Sequence, residues 1–417
     1  MNERQNVLLV FSDQESHHDL LPGIQTPHLE RLAARGVCFT ESYCVAPQCS
    51  PARSSLLTGL HPHQTGVQTN LDAIGARPLQ AGSRTLGDIA RDAGYRTAYF
   101  GKWHLSSAPG PEAFGFDYVG PSPRAGADSA LAERAAQWLT SQTNRPEPWL
   151  AVVSFTNPHD IYRVVRRPEA TSDGRTWLPP SWQDNLSLKP SAHRVFMEQD
   201  QGRPWLGASA REWAHYRSQY YGLIEQVDAC LGRLLDVLDR EGLWSRTAVI
   251  YTSDHGDLAG AHAMPFKAPC MYEELLRVPL VIAWEGIAPP GLRQPGLVSH
   301  LDVVPTLAAA MGLPTAQLPG RDLQALWEGR PWRDQLFFEY LSKQRWLCPI
   351  RAVRSGPWKL NHYLRDRDEL YDLQSDPNEM RNLAADPMYR AVYEGLMARL
   401  EQWRAESRDV LPEALPG

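Results

Sequence analysis

The sequence predicts an α/β fold: a large, mostly parallel sheet flanked by helices, followed by a small C-terminal α+β unit. Three observations carry that expectation. Five short apolar runs at 6–11, 96–100, 149–155, 247–252 and 279–284 have the pattern of strands buried on both faces. Segments with helical periodicity separate them, the alternation that builds a helix-flanked sheet. Beyond the Pro- and Gly-rich stretch 313–320 the texture changes to short alternating segments and one long amphipathic one.

Taken in order, the first run holds only five apolar residues, Val7 to Phe11, before Ser12-Asp13. That is a buried strand and too short for an export signal. No apolar stretch approaches the roughly eighteen residues of a membrane span. A cytoplasmic protein without membrane attachment is therefore expected. Thr26-Pro27 reads as an N-cap with proline at the first helical position, opening a helix over 27–35 that Gly36 closes. Further helices are expected at 86–93, 129–140, 212–240 and 301–311. Alternating strands follow at 332–340, 350–353 and 358–363, then a helix at 386–404. These elements divide the chain into a unit over 1–330 and an α+β unit over 331–417.

Composition narrows the classes. With 417 residues, 43% apolar and 22% charged, the chain is globular, and disordered or fibrous classes are excluded. A net charge of −6 without a long basic run argues against nucleic-acid binding. Six cysteines, none in a CxxC pair, indicate neither a zinc ribbon nor a disulfide framework. The 34 prolines imply much rigid loop, which suits a site assembled on a scaffold.

Chemistry enters at the strand ends, because α/β sheets bind ligands outside their carboxyl edges. The first strand ends in Ser12-Asp13-Gln14 and a later one in Ser253-Asp254-His255-Gly256-Asp257. Either aspartate alone is better explained as the cap of a following helix. Together they could converge on one hard divalent cation.

Between them Cys49-Ser50-Pro51-Ala52-Arg53 continues to Leu56-Leu57-Thr58-Gly59. This stretch resembles the signature of the type I sulfatases, members of the alkaline phosphatase-like superfamily, in which the cysteine is converted to formylglycine. Gly101-Lys102-Trp103-His104, Asn157-Pro158-His159, Asp254-His255-Gly256, Lys267 with Tyr272-Glu273-Glu274, and Glu369-Leu370-Tyr371-Asp372 follow in the order of that family's motifs. The resemblance spans almost the whole chain. It implies a sulfuric ester hydrolase in which the hydrated aldehyde of Cys49 attacks sulfur through one hydroxyl and expels sulfate by deprotonation of the other.

The resemblance further implies a metal held by Asp13, Gln14, Cys49, Asp254 and His255. Calcium is favoured, and the histidine leaves room for magnesium or manganese. Arg53, Lys102 and His104 would orient the diol and neutralise charge, with Lys267 and His159 on the leaving-group side. A formylglycine-generating enzyme is the implied maturation partner. The implied substrate is a small sulfate ester: a sulfated sugar first, then an aryl sulfate or a compact alkyl sulfate such as choline sulfate. Asp13-Gln14 with Asp254-His255 also looks like phosphonate monoester and phosphodiester hydrolases of the superfamily, whereas Gly101-Lys102-Trp103-His104 looks like the sulfatase version of its segment. Among the remaining residues, His63 is expected to be structural and Asn70 to approach the nucleophile. His17, His18, His262, Trp103 and Trp346 are expected around the pocket. Specificity is assigned to the loops 106–124 and 162–205, and the oligomeric state stays open.

Overall fold

The computed structural model describes residues 4–120, 126–167, 177–314 and 317–411. Its strands are β1 (Asn6–Asp13), β2 (Val37–Phe39), β3 (Ser42–Tyr43), β4 (Arg96–Gly101), β5 (Tyr118–Val119), β6 (Trp149–Pro158), β7 (Thr247–Ser253), β8 (Leu280–Trp284), β9 (Leu292–Gln294), β10 (Val298–Ser299), β11 (Gln335–Lys343), β12 (Trp346–Ser355), β13 (Trp358–Tyr363) and β14 (Glu369–Asp372). Eight of them form one sheet in the order β5-β4-β6-β1-β7-β8-β2-β9. The central strands β4, β6, β1 and β7 run parallel, while β8 runs antiparallel to both its neighbours. The sheet is thus mixed and mostly parallel, as the apolar runs predict.

The strand β1 shows why its sequence is uninterruptedly apolar. Val7, Leu9 and Phe11 enter the core on one face, with the helices Cys49–Thr58, Leu86–Asp92 and Val303–Ala310. Leu8 and Val10 enter the other, with Pro27–Ala33, Asp128–Ser141 and Ala210–Arg240. Each fully buried side chain of this size contributes roughly 1.5–3 kcal/mol. With no solvent face, the period-2 alternation of a half-exposed strand is absent.

Boundaries differ from expectation where caps decide them. The long helix begins at Ala210 because Ser209 and Glu212 form a reciprocal capping box. The last helix begins at Arg390, since Asp386 caps a separate short turn over Pro387–Tyr389. The strand β14 was not expected at all; its four residues, the Glu369–Asp372 motif, pair only at the edge of an antiparallel sheet, β11-β12-β13-β14. That second sheet packs the helix Arg390–Ser407 on one face through Leu396, Leu400 and Trp403. Its other face, with Phe338, Tyr340 and Ile350, meets Tyr43, Met271 and Val278 of the first unit. Among the described residues no helix is long and apolar enough to cross a membrane.

Candidate active site

Four adjacent parallel strands deliver their carboxyl ends to one edge of the large sheet. The strand β1 ends at Asp13 with Gln14 beyond it, and β7 is followed by Asp254 and His255. Lys102 and His104 follow β4, and His159 follows β6. The approach is tight: Gly101 has φ +102°, and a Cβ there would lie 2.0 Å from the Ser154 carbonyl oxygen. Only glycine fits that turn.

Facing this edge is the helix Cys49–Thr58, all ten residues of which are buried. Cys49 occupies its first turn, where the unpaired backbone N–H groups and the helix dipole favour negative charge. The helix stops at Gly59 in the left-handed conformation, φ 72°. Ser50 N–H donates to Asn70 Oδ1 at 3.0 Å, so Asn70 does lie beside the nucleophile position. One turn on, Arg53 is fully buried and donates through all three of its nitrogens. Its Nη2 donates to Asp13 Oδ2 and its Nε to Asp254 Oδ2, both at 2.8 Å, while Nη1 donates to the Lys102 carbonyl and Ser154 Oγ at 2.6 and 2.8 Å. Its charge is directed at the two carboxylates and at the ends of β4 and β6.

The Cys49 sulfur is ringed by charge. Lys267 Nζ lies at 2.7 Å, His255 Nε2 at 3.3 Å, Asp13 Oδ1 at 3.6 Å and Lys102 Nζ at 3.8 Å; His104 and His159 also bear on it. Burial opposes ionisation of this thiol, yet Lys102, Lys267 and His255 pull it well below the ordinary cysteine range. The site therefore stabilises an anion at position 49. Burial and the nearby sulfur push the Asp13 carboxyl up, but Lys102, His159 and Arg53 together hold it below the usual carboxylate range. Lys102 Nζ donates to Asp13 Oδ2 at 2.5 Å. Burial lowers His159. Lys267 is raised despite its burial, because Cys49, Asp13 and Asp254 surround it.

Metal-ligating atoms of Asp13, Cys49, Asp254 and His255 lie within 4.8 Å of one another. His255 Nδ1 faces the Gly256 carbonyl at 2.8 Å, which fixes the N–H there and leaves Nε2 with its lone pair toward the cluster. Gln14 Oε1 is buried without a hydrogen-bond partner, an acceptor in want of a cation. Two carboxylates, an amide oxygen and an imidazole fit a hard divalent ion. A second group, His63, Glu339 and Asp409, also brings ligand atoms within 4.8 Å.

The remaining expectations divide. His262 is fully buried, stacked on Tyr272 with ring centroids 3.8 Å apart and bonded through Nδ1 to Asp184; it forms packing. His17 and His18 line a different cavity of about 190 Å³ with Leu29, Cys38 and Pro279. Trp103 packs among Tyr99, Phe114 and Phe116. Trp346 lines a cavity of about 250 Å³ beside Cys348 and Tyr363. His63 pairs with Glu339 at 2.7 Å. Residues 121–124 and 168–176 of the two expected specificity loops lie outside the described residues. Sequence reasoning assigned no role to Asp257, which accepts from Gln14 Nε2 at 2.7 Å, nor to Tyr162, whose ring stacks on Phe266 at 4.1 Å beside Lys267. Asp257 lies three residues past Asp254 and carried a signal; Tyr162 carried none.

Comparison with known proteins places this geometry. The sulfatase family profile matches residues 5–313, and that of the C-terminal part of N-sulphoglucosamine sulphohydrolase matches residues 260–406. The chain is 30% identical to the uncharacterized sulfatase YidJ of Escherichia coli (strain K12), covering 98% of this chain and 88% of that protein. It is 31% identical to a choline-sulfatase of Rhizobium meliloti (strain 1021), covering 92% and 83%. Among solved structures, a 2-O GAG sulfatase superimposes with a TM-score of 0.85 at 25% identity, covering 98% of this chain and 93% of that one.

Proposed function

The chain belongs to the sulfatase family and is a sulfuric ester hydrolase, and from that premise we propose that it cleaves a small sulfated sugar using formylglycine at position 49 and a divalent cation. The observation that carries this is the set of four charged or ligating groups within 4 Å of the Cys49 sulfur, at the first turn of a buried helix. Converted to formylglycine, position 49 supplies a geminal diol whose one oxygen attacks sulfur and whose other expels sulfate. Asp13, Gln14, Asp254 and His255 would hold the cation, calcium in the first place with magnesium or manganese as substitutes. When bound there it polarises the sulfate oxygens and favours the ionised diol.

The chain's own groups divide the remaining work. Lys267, 4% exposed and in contact with both Cys49 and His255, stabilises negative charge at the nucleophile. Lys102, held on Asp13, neutralises the sulfate. Arg53 locks the two aspartates in place from behind. His159 is less enclosed and follows the end of β6, so it is the group with access to the leaving oxygen. There it would donate the proton that the alkoxide needs. A formylglycine-generating enzyme would mature the protein.

The sugar assignment draws support from the 2-O GAG sulfatase at TM-score 0.85. The choline-sulfatase at 31% identity favours a compact alkyl sulfate as the second reading. A panel of sulfated monosaccharides, choline sulfate, an aryl sulfate and a phosphonate monoester tests the choice by kcat/KM. The highest value is expected for a sulfated sugar; choline sulfate in first place would install the second reading, and the phosphonate in first place would overturn sulfate as the transferred group.

A further inference from the structure

Gln14 is the one amide of the cation set, and every polar atom of it but one is committed. Its backbone sits in the left-handed region, φ 80°, a conformation a non-glycine side chain adopts only when its surroundings hold it there. Its N–H donates to Asp254 Oδ1 at 3.0 Å, and its carbonyl accepts from Tyr220 Oη at 2.7 Å. Its Nε2 donates to Asp257 Oδ2 at 2.7 Å. Only Oε1 has no partner.

Asp257 is completely buried and receives donors alone. Besides Gln14 Nε2 it accepts the Ala259 N–H at 2.7 Å and the Tyr216 hydroxyl at 3.0 and 3.1 Å. The Tyr216 oxygen itself accepts from the Phe266 N–H at 3.1 Å, so its proton is free to point at Asp257. Three donors thus converge on Asp257, the NH2 of the Gln14 amide among them, and the amide oxygen faces away from it.

We propose that Asp257 is a positioning residue for the cation site, holding the Gln14 amide so that Oε1 serves as a ligand. The hydrogen bond from Nε2 fixes the amide plane and polarises it toward Oε1. The inference rests on the cation site of the proposed function.

The pair can be exchanged, and the exchange is the test. In Asp257→Asn, Oδ1 keeps its bonds to Ala259 and Tyr216, but an NH2 then opposes the Gln14 NH2 and forces that amide to flip. In Gln14→Glu two carboxylates meet at hydrogen-bond distance. In the double variant the acid is moved to position 14 and the amide to 257, so the contact is remade. Calorimetric titration of each purified protein with calcium, magnesium and manganese alone, without substrate, reads the affinities, and circular dichroism of the cation-free proteins checks folding. Each single variant is expected to lose about 10-fold or more in affinity, in the range of outer ligand supports, and the double variant to recover most of it. Wild-type affinity in Asp257→Asn, or losses that simply multiply in the double variant, would overturn the positioning role while leaving the site itself standing. Absence of cation binding by wild type would instead overturn the proposed function and this inference together.

Discussion

Two buried clusters in this molecule look alike as lists of residues and differ in what their atoms are doing. Asp13, Cys49, Asp254 and His255 lie at the edge of the large sheet; His63, Glu339 and Asp409 lie where β11, the turn at Pro62–Thr65 and the end of the last helix meet. In the second cluster every carboxylate oxygen is already taken. Asp409 accepts from Arg351 Nη2 and Nε at 2.7 and 2.6 Å, and Glu339 accepts from His63 Nδ1 and the His63 N–H at 2.7 and 3.1 Å. His63 Nε2 meets the Ser407 carbonyl at 3.0 Å. A cation there would have to displace an arginine. In the first cluster Arg53 takes only the Oδ2 atoms, Gln14 Oε1 is an orphan, and the sulfur faces two lysines. Satisfied donors and acceptors make a clasp, and unsatisfied ones make a site.

The contrast can be broken most forcefully with Arg351→Met. It strips buried Asp409 of its two-pronged partner and leaves it, among the described residues, only Arg404, at 3.4 Å, a loss of about 3 kcal/mol that urea unfolding will register, with turnover per folded molecule unchanged. Lys267→Met is its counterpart. It removes a cation that Cys49, Asp13 and Asp254 favour in the folded protein, so stability falls, but by less than in Arg351→Met because Arg53 still holds both aspartates, while sulfate release falls on the order of 10²–10³-fold, the range for a group stabilising charge in the transition state. Equal effects of both variants on both measurements would erase the distinction.

A smaller effect sharpens it. Burial lowers His63, but the Glu339 hydrogen bond and charge outweigh that and raise it above its ordinary value. A raised histidine contributes stability that is complete below the unfolded value near 6.5 and is lost as pH climbs through the folded value. The difference in unfolding free energy between wild type and His63→Asn should therefore shrink from pH 6 to pH 9. A constant or growing difference would show that the clasp is not held by the imidazolium.

The sequence showed the site more fully than the fold, for a physical reason. The residues at strand ends stand in short contiguous motifs, so Asp13-Gln14, Cys49 to Arg53 and Asp254-His255 could be read before their convergence was seen. Strands buried on both faces were equally legible, because β1 has no polar alternate to hide its nature. What escaped was relational. The commitment of Arg53 to two aspartates, the Lys102 carbonyl and Ser154, the grip of Asp257 on Gln14, and the pairing of His63 with Glu339, 276 residues away, depend on chain crossings that no local pattern encodes. His262 misled for the same reason: its motif lies near the cation set, yet its ring is stacked on Tyr272.

The central claim is that chemistry runs through a converted Cys49. The most direct measurement sets sulfate released from a sulfated monosaccharide against the fraction of position 49 found as aldehyde by mass spectrometry, across preparations matured to different extents. Release should rise in proportion to the aldehyde fraction, extrapolate to zero with it, and be absent in Cys49→Ala. Release that is independent of that fraction, or that persists in Cys49→Ala, would contradict the account.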